Sequence, residues 1–148
     1  MTGLLHDIGK VVLDMICTDD YAKTCRFAAT QEKFLYEVEG KLGPALHTEA
    51  GARLGEHWNL AQNIIHGIRW HHEPAKVLGT TAIPAVIHAA DALSHQAARA
   101  AGGKNFVPPL HPQVIELLSL DAAALQQLLD TLHIEMMAAD AFLSLGAA

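Results

Sequence analysis

Histidine and aspartate stand side by side at His6 and Asp7, inside the otherwise apolar stretch Gly3-Leu4-Leu5-His6-Asp7-Ile8-Gly9-Lys10. Burying an imidazole and a carboxylate together is costly unless they pair or bind a cation. Three further signals follow: a single His47, the pair His71-His72, and Asp91 within an Ala-rich apolar run. In chain order this reads His-Asp, His, His-His, Asp. Such a set of nitrogen and oxygen donors suits a divalent metal better than a hydrophobic core. Lys10 lies one turn beyond the pair and offers a point charge suited to a phosphate.

Each of these residues also has a plainer explanation. On a continuous helix, adjacent side chains point about 100° apart. His6 and Asp7 therefore reach one spot only if the metal lies between helices. Otherwise they bond to neighbouring backbone and Lys10 sits in solvent. Gly9 removes a side chain where another backbone or a substrate comes close. His47, at the edge of an apolar stripe, also reads as a satisfied interior histidine. His71 and His72 close a helix, where the dipole favours a cationic imidazole. Two adjacent imidazoles on one metal are awkward; one ligand, with the other bonding substrate or a second metal, is easier. Asp91 lies one turn after Ile87, with His88 and His95 at i−3 and i+4, and a bond to either would satisfy it. His57, His66, His88, His95, His111 and His133 read as ordinary polar residues.

The elements that must position these groups are helical. Gly3 to about Cys17 reads as one helix, loosened at Gly9. Asp19 or Asp20 caps a helix to about Ala29, and Thr30 caps another from Gln31 to about Leu42. After Gly43-Pro44, Leu46, Ala50, Leu54 and Trp58 recur every fourth residue as an apolar stripe. Leu60, Ile64 and Ile68 mark the next helix, which ends near His72 because Pro74 disfavours the α conformation at Glu73. A long Ala-rich helix opens at Thr80 to Pro84, runs to about Ala101 and ends at Gly102-Gly103. A Pro-containing loop from Phe106 leads to a short helix over Pro112 to Leu118. Asp121 then caps a final amphipathic helix carrying Leu125, Leu128, Leu129, Leu132, Met136 and Leu143. Strand signals are nearly absent, and the expectation is an all-α domain of about seven helices.

At 148 residues one domain, spanning 1–148, is expected. The 51% apolar content is ample for a core, and 5% aromatics make that core mainly aliphatic. A net charge of −6 argues against nucleic acid, which needs clustered Lys and Arg. Cys17 and Cys25 form no Cys-x-x-Cys motif, so a reduced, cytoplasmic setting is expected. No run approaches the ~20 apolar residues of a membrane span, and no signal-peptide pattern is present.

Together the segments are more specific than any residue alone. Gly3 to Leu13 resembles the signature of the HD superfamily of helical metal-dependent phosphohydrolases, and within it the HDOD group of bacterial signalling output domains. His47-Thr-Glu-Ala-Gly-Ala-Arg-Leu54 with Trp58-Asn-Leu60, Ile68-Arg-Trp-His-His-Glu-Pro74 and Val86-Ile-His-Ala-Ala-Asp-Ala-Leu93 resemble the same group. The resemblance implies an HD-type helical bundle and a metal pocket lined by His6, Asp7, His47, His71, His72 and Asp91. It implies catalytic roles for Asp7 and Lys10 if the domain is active. Asn59 and Ala61 stand where the family usually has glycine and proline. Glu73-Pro74-Ala75-Lys76 replaces the Gly-Tyr-Pro motif of the cyclic di-GMP phosphodiesterases, which argues against that substrate. Only Met1 to Leu5 precede the His-Asp pair, so the chain resembles the C-terminal part of the family's domain. The implied functions are an output module acting by protein contact, as a homodimer with an unidentified signalling partner, or a metal-dependent phosphohydrolase. The implied cofactor is iron, manganese, zinc or magnesium, held weakly or not at all with the upstream ligand missing.

Overall fold

The computed structural model describes residues 1–100 and 106–145. Its elements are α1 (Thr2–Leu5), α2 (Ile8–Ile16), α3 (Thr18–Thr30), α4 (Leu35–Leu42), α5 (His47–His57) and α6 (Gln62–Trp70). A 3-10 turn (Pro74–Lys76), α7 (Ile83–Ala100), α8 (Pro112–Leu117) and α9 (Ala122–Leu145) follow. No strand occurs among the described residues, and the all-α, HD-like bundle is as expected. Gly102, Gly103 and the Leu143 side chain lie outside what is described.

The first predicted helix is in fact two. It breaks at Asp7 rather than loosening at Gly9: Asp7 leaves the helical region with φ −100° and ψ 8°. The break is confined to Asp7, since His6 keeps helical angles at φ −56° and ψ −34°, and it sets the direction in which α2 leaves the His-Asp pair. Gly9 answers a different need. A Cβ on it would collide with the His47 carbonyl oxygen and lie 2.6 Å from the Gly51 nitrogen. The backbones of α2 and α5 cross there in direct contact.

That crossing also decides which face of α5 is inside. The stripe of Leu46, Ala50, Leu54 and Trp58 is not the buried face; Trp58 is 53% exposed. The buried residues are His47, Thr48, Gly51, Ala52 and Gly55. Small side chains win because both neighbours approach closely: a Cβ on Gly51 would meet Ile68, and one on Gly55 would meet Ile65. Ala52, Ile65 and Ile68 form the apolar floor, joined by Leu5, Ile8, Leu60 and Ile64.

Thr30 does not cap α4. It is the last residue of α3, and its hydroxyl donates to the Phe27 carbonyl. The chain then turns through Glu32, in the left-handed region at φ 48°, and α4 starts only at Leu35. Asn59 sits at φ 54°, which explains why a glycine or asparagine belongs there. Ala61 has φ −58°, the value a proline would fix. Farther along, α7 packs on α6, α8 and α9 over a second cluster of Ala85, Ala89, Val114 and Leu120. Asp121 caps α9 as expected, accepting from the Ala124 amide at 2.8 Å.

The α2–α5 crossing makes G9A a sharp test. Overpacking ordinarily costs about 1–3 kcal/mol, and here backbone rather than a side-chain tip would have to move. The variant is expected to lose at least about 3 kcal/mol in urea unfolding. A loss under about 1 kcal/mol, the range of ordinary helix substitutions, would contradict the crossing.

Candidate metal centre

Four elements deliver the polar groups. The α1–α2 break supplies His6 and Asp7, the N-terminus of α5 supplies His47, the end of α6 supplies His71 and His72, and α7 supplies Asp91. One ligand atom from each of Asp7, His47, His71 and His72 lies within 4.8 Å of all the others. Asp7 Oδ1 is 3.3 Å from His47 Nε2 and 3.7 Å from His71 Nε2. His72 Nε2 is 3.2 Å from His47 Nε2. Four donors around a tetrahedral ion at ~2.0–2.2 Å stand roughly 3.3–3.6 Å apart, and the three separations of 3.2, 3.3 and 3.7 Å lie close to that range. Both His71 and His72 belong to the cluster, although His71 still has helical backbone angles, φ −64° and ψ −22°.

His6 and Asp91 form an adjoining pair rather than part of the tight set. His6 Nε2 is 3.4 Å from Asp7 Oδ2 and 3.7 Å from Asp91 Oδ1. Asp91 also faces His95 Nε2 at 3.5 Å. Lys10 Nζ bonds to Asp7 Oδ2 at 2.6 Å, so its charge is directed at the carboxylate.

Protonation states follow from partners. His6 Nδ1 donates to the Gly3 carbonyl at 2.7 Å and His71 Nδ1 to the Ile68 carbonyl at 2.9 Å. A carbonyl can only accept, so each ring turns a bare Nε2 toward the centre when neutral. His6 Nε2, His71 Nε2 and Asp7 Oδ1 are buried without a hydrogen-bond partner among the described residues. Buried polar atoms are seldom left so. Two of them, His71 Nε2 and Asp7 Oδ1, belong to the four-residue cluster and fit a cation, and Asp7, His47, His71 and His72 are the residues that would hold it.

The electrostatics divide the rings. Burial opposes charge on His47, but the carboxylates of Asp7 and Glu39 outweigh it and raise its pKa. For His6 burial is likewise outweighed by Asp91 and Asp7. His71 is pulled down to about 3 by burial and then by the like charge of His47 and His6. Burial, His71 and His47 push His72 far below the ordinary value. Burial would raise the Asp7 carboxyl, yet His47 and Lys10 hold it well below the usual carboxylate range.

A cavity of about 450 Å³ opens beside the cluster at His47, His72, Asp91 and Lys10. Phe34, Tyr36 and Phe106 wall it. Phe34 stacks on Phe106 at 5.3 Å and meets His72 edge-on at 4.9 Å, while Tyr36 donates to Glu73 at 2.7 Å.

Several functional groups escaped the sequence reading. His88 is buried rather than an ordinary polar residue. Its Nδ1 donates to the His71 carbonyl at 2.8 Å and its Nε2 accepts from the His111 amide at 3.1 Å. It thereby ties α7 to the end of α6. His111 caps α8, accepting from the Gln113 amide. Glu39 and Tyr21 are buried behind His47. Nothing in their spacing marks them; only the burial of Glu39 beside Val38 on α4 could have done so.

The profile of the HDOD domain matches residues 1–74, half of the chain. The matched stretch includes His6, Asp7, His47, His71 and His72, while Asp91 lies beyond it. An uncharacterised protein of Treponema pallidum (strain Nichols) is 31% identical over 70 residues, which is 47% of this chain and 14% of that protein. The chain thus corresponds to a small part of that relative's length. No solved structure matches.

His72 yields a pH prediction. Its pKa is depressed in the fold, so the unfolded chain takes up a proton that the native chain refuses. Its contribution to stability is full above the unfolded value of 6.5 and is lost as the pH falls below it. In metal-free buffer the urea midpoint is expected to drop between pH about 7.5 and about 5, and to drop less in H72Q. Equal slopes in the two proteins would contradict a neutral His72.

Proposed function

This chain belongs to the HDOD domain family, and from that premise we propose that it is a bacterial signalling output module whose Asp7, His47, His71 and His72 hold one divalent metal. It acts in the cytoplasm, by protein contact. The observation that carries this reading is the double duty of the α1–α2 segment. Its inner side brings in His6, Asp7 and Gly9. Its outer side leaves Leu4, Val11, Met15 and Ile16 exposed, at 53% or more each. Exposed apolar groups on the element that supplies the ligands allow a bound partner to sense the state of the centre. Leu5 is turned inward onto the apolar floor, so the outer face is Leu4, Val11, Met15 and Ile16.

Metal retention was expected to be weak on ligand count. The described residues already offer four donor atoms, the number a closed tetrahedral site uses. No helix among the described residues is long and apolar enough to cross a membrane.

A second reading, a phosphohydrolase, is favoured by the cavity of about 450 Å³ at the cluster's edge. The metal, when bound, would supply Lewis-acid polarisation of a phosphoryl oxygen. Asp7 then anchors the cation and Lys10, which reaches both Asp7 and the cavity, steadies a phosphate. His47 and His72 border the same space. The substrate class is a phosphomonoester or phosphodiester other than cyclic di-GMP.

For the first reading, light scattering over a wide concentration range is expected to give a symmetric homodimer. The double variant V11E/M15E is expected to be monomeric with its helicity intact. A monodisperse monomer at every concentration would contradict the interface. For the second, manganese-loaded protein is expected to cleave bis-p-nitrophenyl phosphate and D7N to lose that cleavage; no turnover by the loaded wild type would remove the enzyme reading.

A further inference from the structure

His6 and His71 direct Nε2 toward the centre because Nδ1–H is taken by the carbonyl one turn earlier, Gly3 and Ile68 respectively. His47 has no such carbonyl. It is the first residue of α5, and the chain before it is extended at Leu46. Its acceptor comes from another helix instead. Glu39 Oε2 lies 2.6 Å from His47 Nδ1 and 3.0 Å from the His47 backbone nitrogen. The second carboxylate oxygen, Oε1, accepts from the Tyr21 hydroxyl at 3.0 Å. The Glu39 side chain is fully buried and Tyr21 is 3% exposed.

We propose that Glu39, braced by Tyr21, is a positioning residue of the metal centre: it fixes His47 as the Nδ1–H tautomer and aims Nε2 at Asp7 and His72. This rests on reading Asp7, His47, His71 and His72 as a metal centre. The physical reason is the donor count. A neutral imidazole has one N–H and one bare nitrogen, and the protein chooses which is which. A bare Nδ1 at 2.6 Å from a carboxylate would set lone pair against lone pair. Glu39 therefore forces the proton onto Nδ1 and leaves Nε2 free to ligate. A carboxylate behind a ligating histidine also strengthens it as a donor to metal.

Helix capping alone does not account for the arrangement. Capping α5 requires one acceptor for a terminal amide, which a short polar residue at Leu46 would supply. A buried carboxylate reaching across from α4 is costly unless both its oxygens are hydrogen-bonded. Here one oxygen holds both the backbone and the ring of His47, and the Tyr21 hydroxyl from α3 stops the carboxylate from rotating away.

Three variants separate positioning from capping: E39M, E39Q and Y21F. Zinc ion is titrated into each metal-free protein against a chromophoric chelator. E39M is expected to bind zinc about 10–100-fold more weakly. E39Q, whose amide oxygen still accepts from Nδ1, is expected to recover part of that loss, and Y21F to lose least. Long-range proton–nitrogen spectra of the metal-free proteins, at alkaline pH where the ring is neutral, report the tautomer directly. Wild type and E39Q are expected to carry the proton on Nδ1 of His47, and E39M to show mixed tautomers. Wild-type zinc affinity together with the wild-type tautomer in E39M would overturn the proposal. If E39M does not fold, wild-type zinc affinity and unaltered His47 ring signals in both E39Q and Y21F would overturn it equally. If the wild type itself binds no zinc, the metal-centre reading fails, and the tautomer comparison still decides the role of Glu39.

Discussion

The backbones of α2 and α5 touch at Gly9 and Gly51, with no side chain between them. Everything around the centre depends on that contact. It brings the start of α2, and hence Asp7, to within 3.3 Å of His47 at the start of α5. It lets α6 close on α5 at the same place, so that Ile68 packs onto Gly51 beside Gly9 and His71 and His72 arrive one turn later. A single added carbon at Gly9 would push apart the two termini that carry opposite halves of the site. The fold thus gives up apolar area on α5 in exchange for closeness, and it recovers that area on α6 through Ile65 and Ile68.

Closeness has an electrostatic consequence. One carboxylate with several imidazoles cannot all hold protons in so small a volume. The rings facing carboxylates, His6 and His47, are stabilised as cations, whereas His71 and His72 are kept neutral. Neutral rings with bare nitrogens are what a metal requires, and a divalent ion would replace the proton on His47 Nε2. His88 extends this order outward. By holding the His71 carbonyl and the His111 amide, it links the centre to α7 and α8 with one side chain.

Much of this was legible in the sequence because the chemistry is local. His6, Asp7, His47, His71, His72 and Asp91 stood out as polar groups in apolar surroundings, and helix periodicity gave the all-α class. The failures share a cause: they depend on what comes near, which one chain's pattern does not record. Periodicity chose Leu46, Ala50, Leu54 and Trp58 as the inner face of α5, because it ranks hydrophobicity and not the distance of approach. Helix continuity hid the break at Asp7, since no glycine or proline marks it. Thr30 looked like a cap, but its hydroxyl found the carbonyl of its own helix first. Glu39, Tyr21 and His88 carry ordinary polar signals in sequence, and only the packing of α3, α4 and α7 makes them interior partners of the site.

The central claim is that Asp7, His47, His71 and His72 bind one divalent ion. X-ray absorption at the metal edge, on protein loaded with zinc and dialysed, tests it most directly. The expected result is one zinc per chain in a nitrogen and oxygen shell at ~2.0–2.2 Å, with the outer-shell scattering of three imidazoles that falls to two in H47Q. A sulfur shell from Cys17 or Cys25, imidazole scattering unchanged in H47Q, or no zinc surviving dialysis would contradict it.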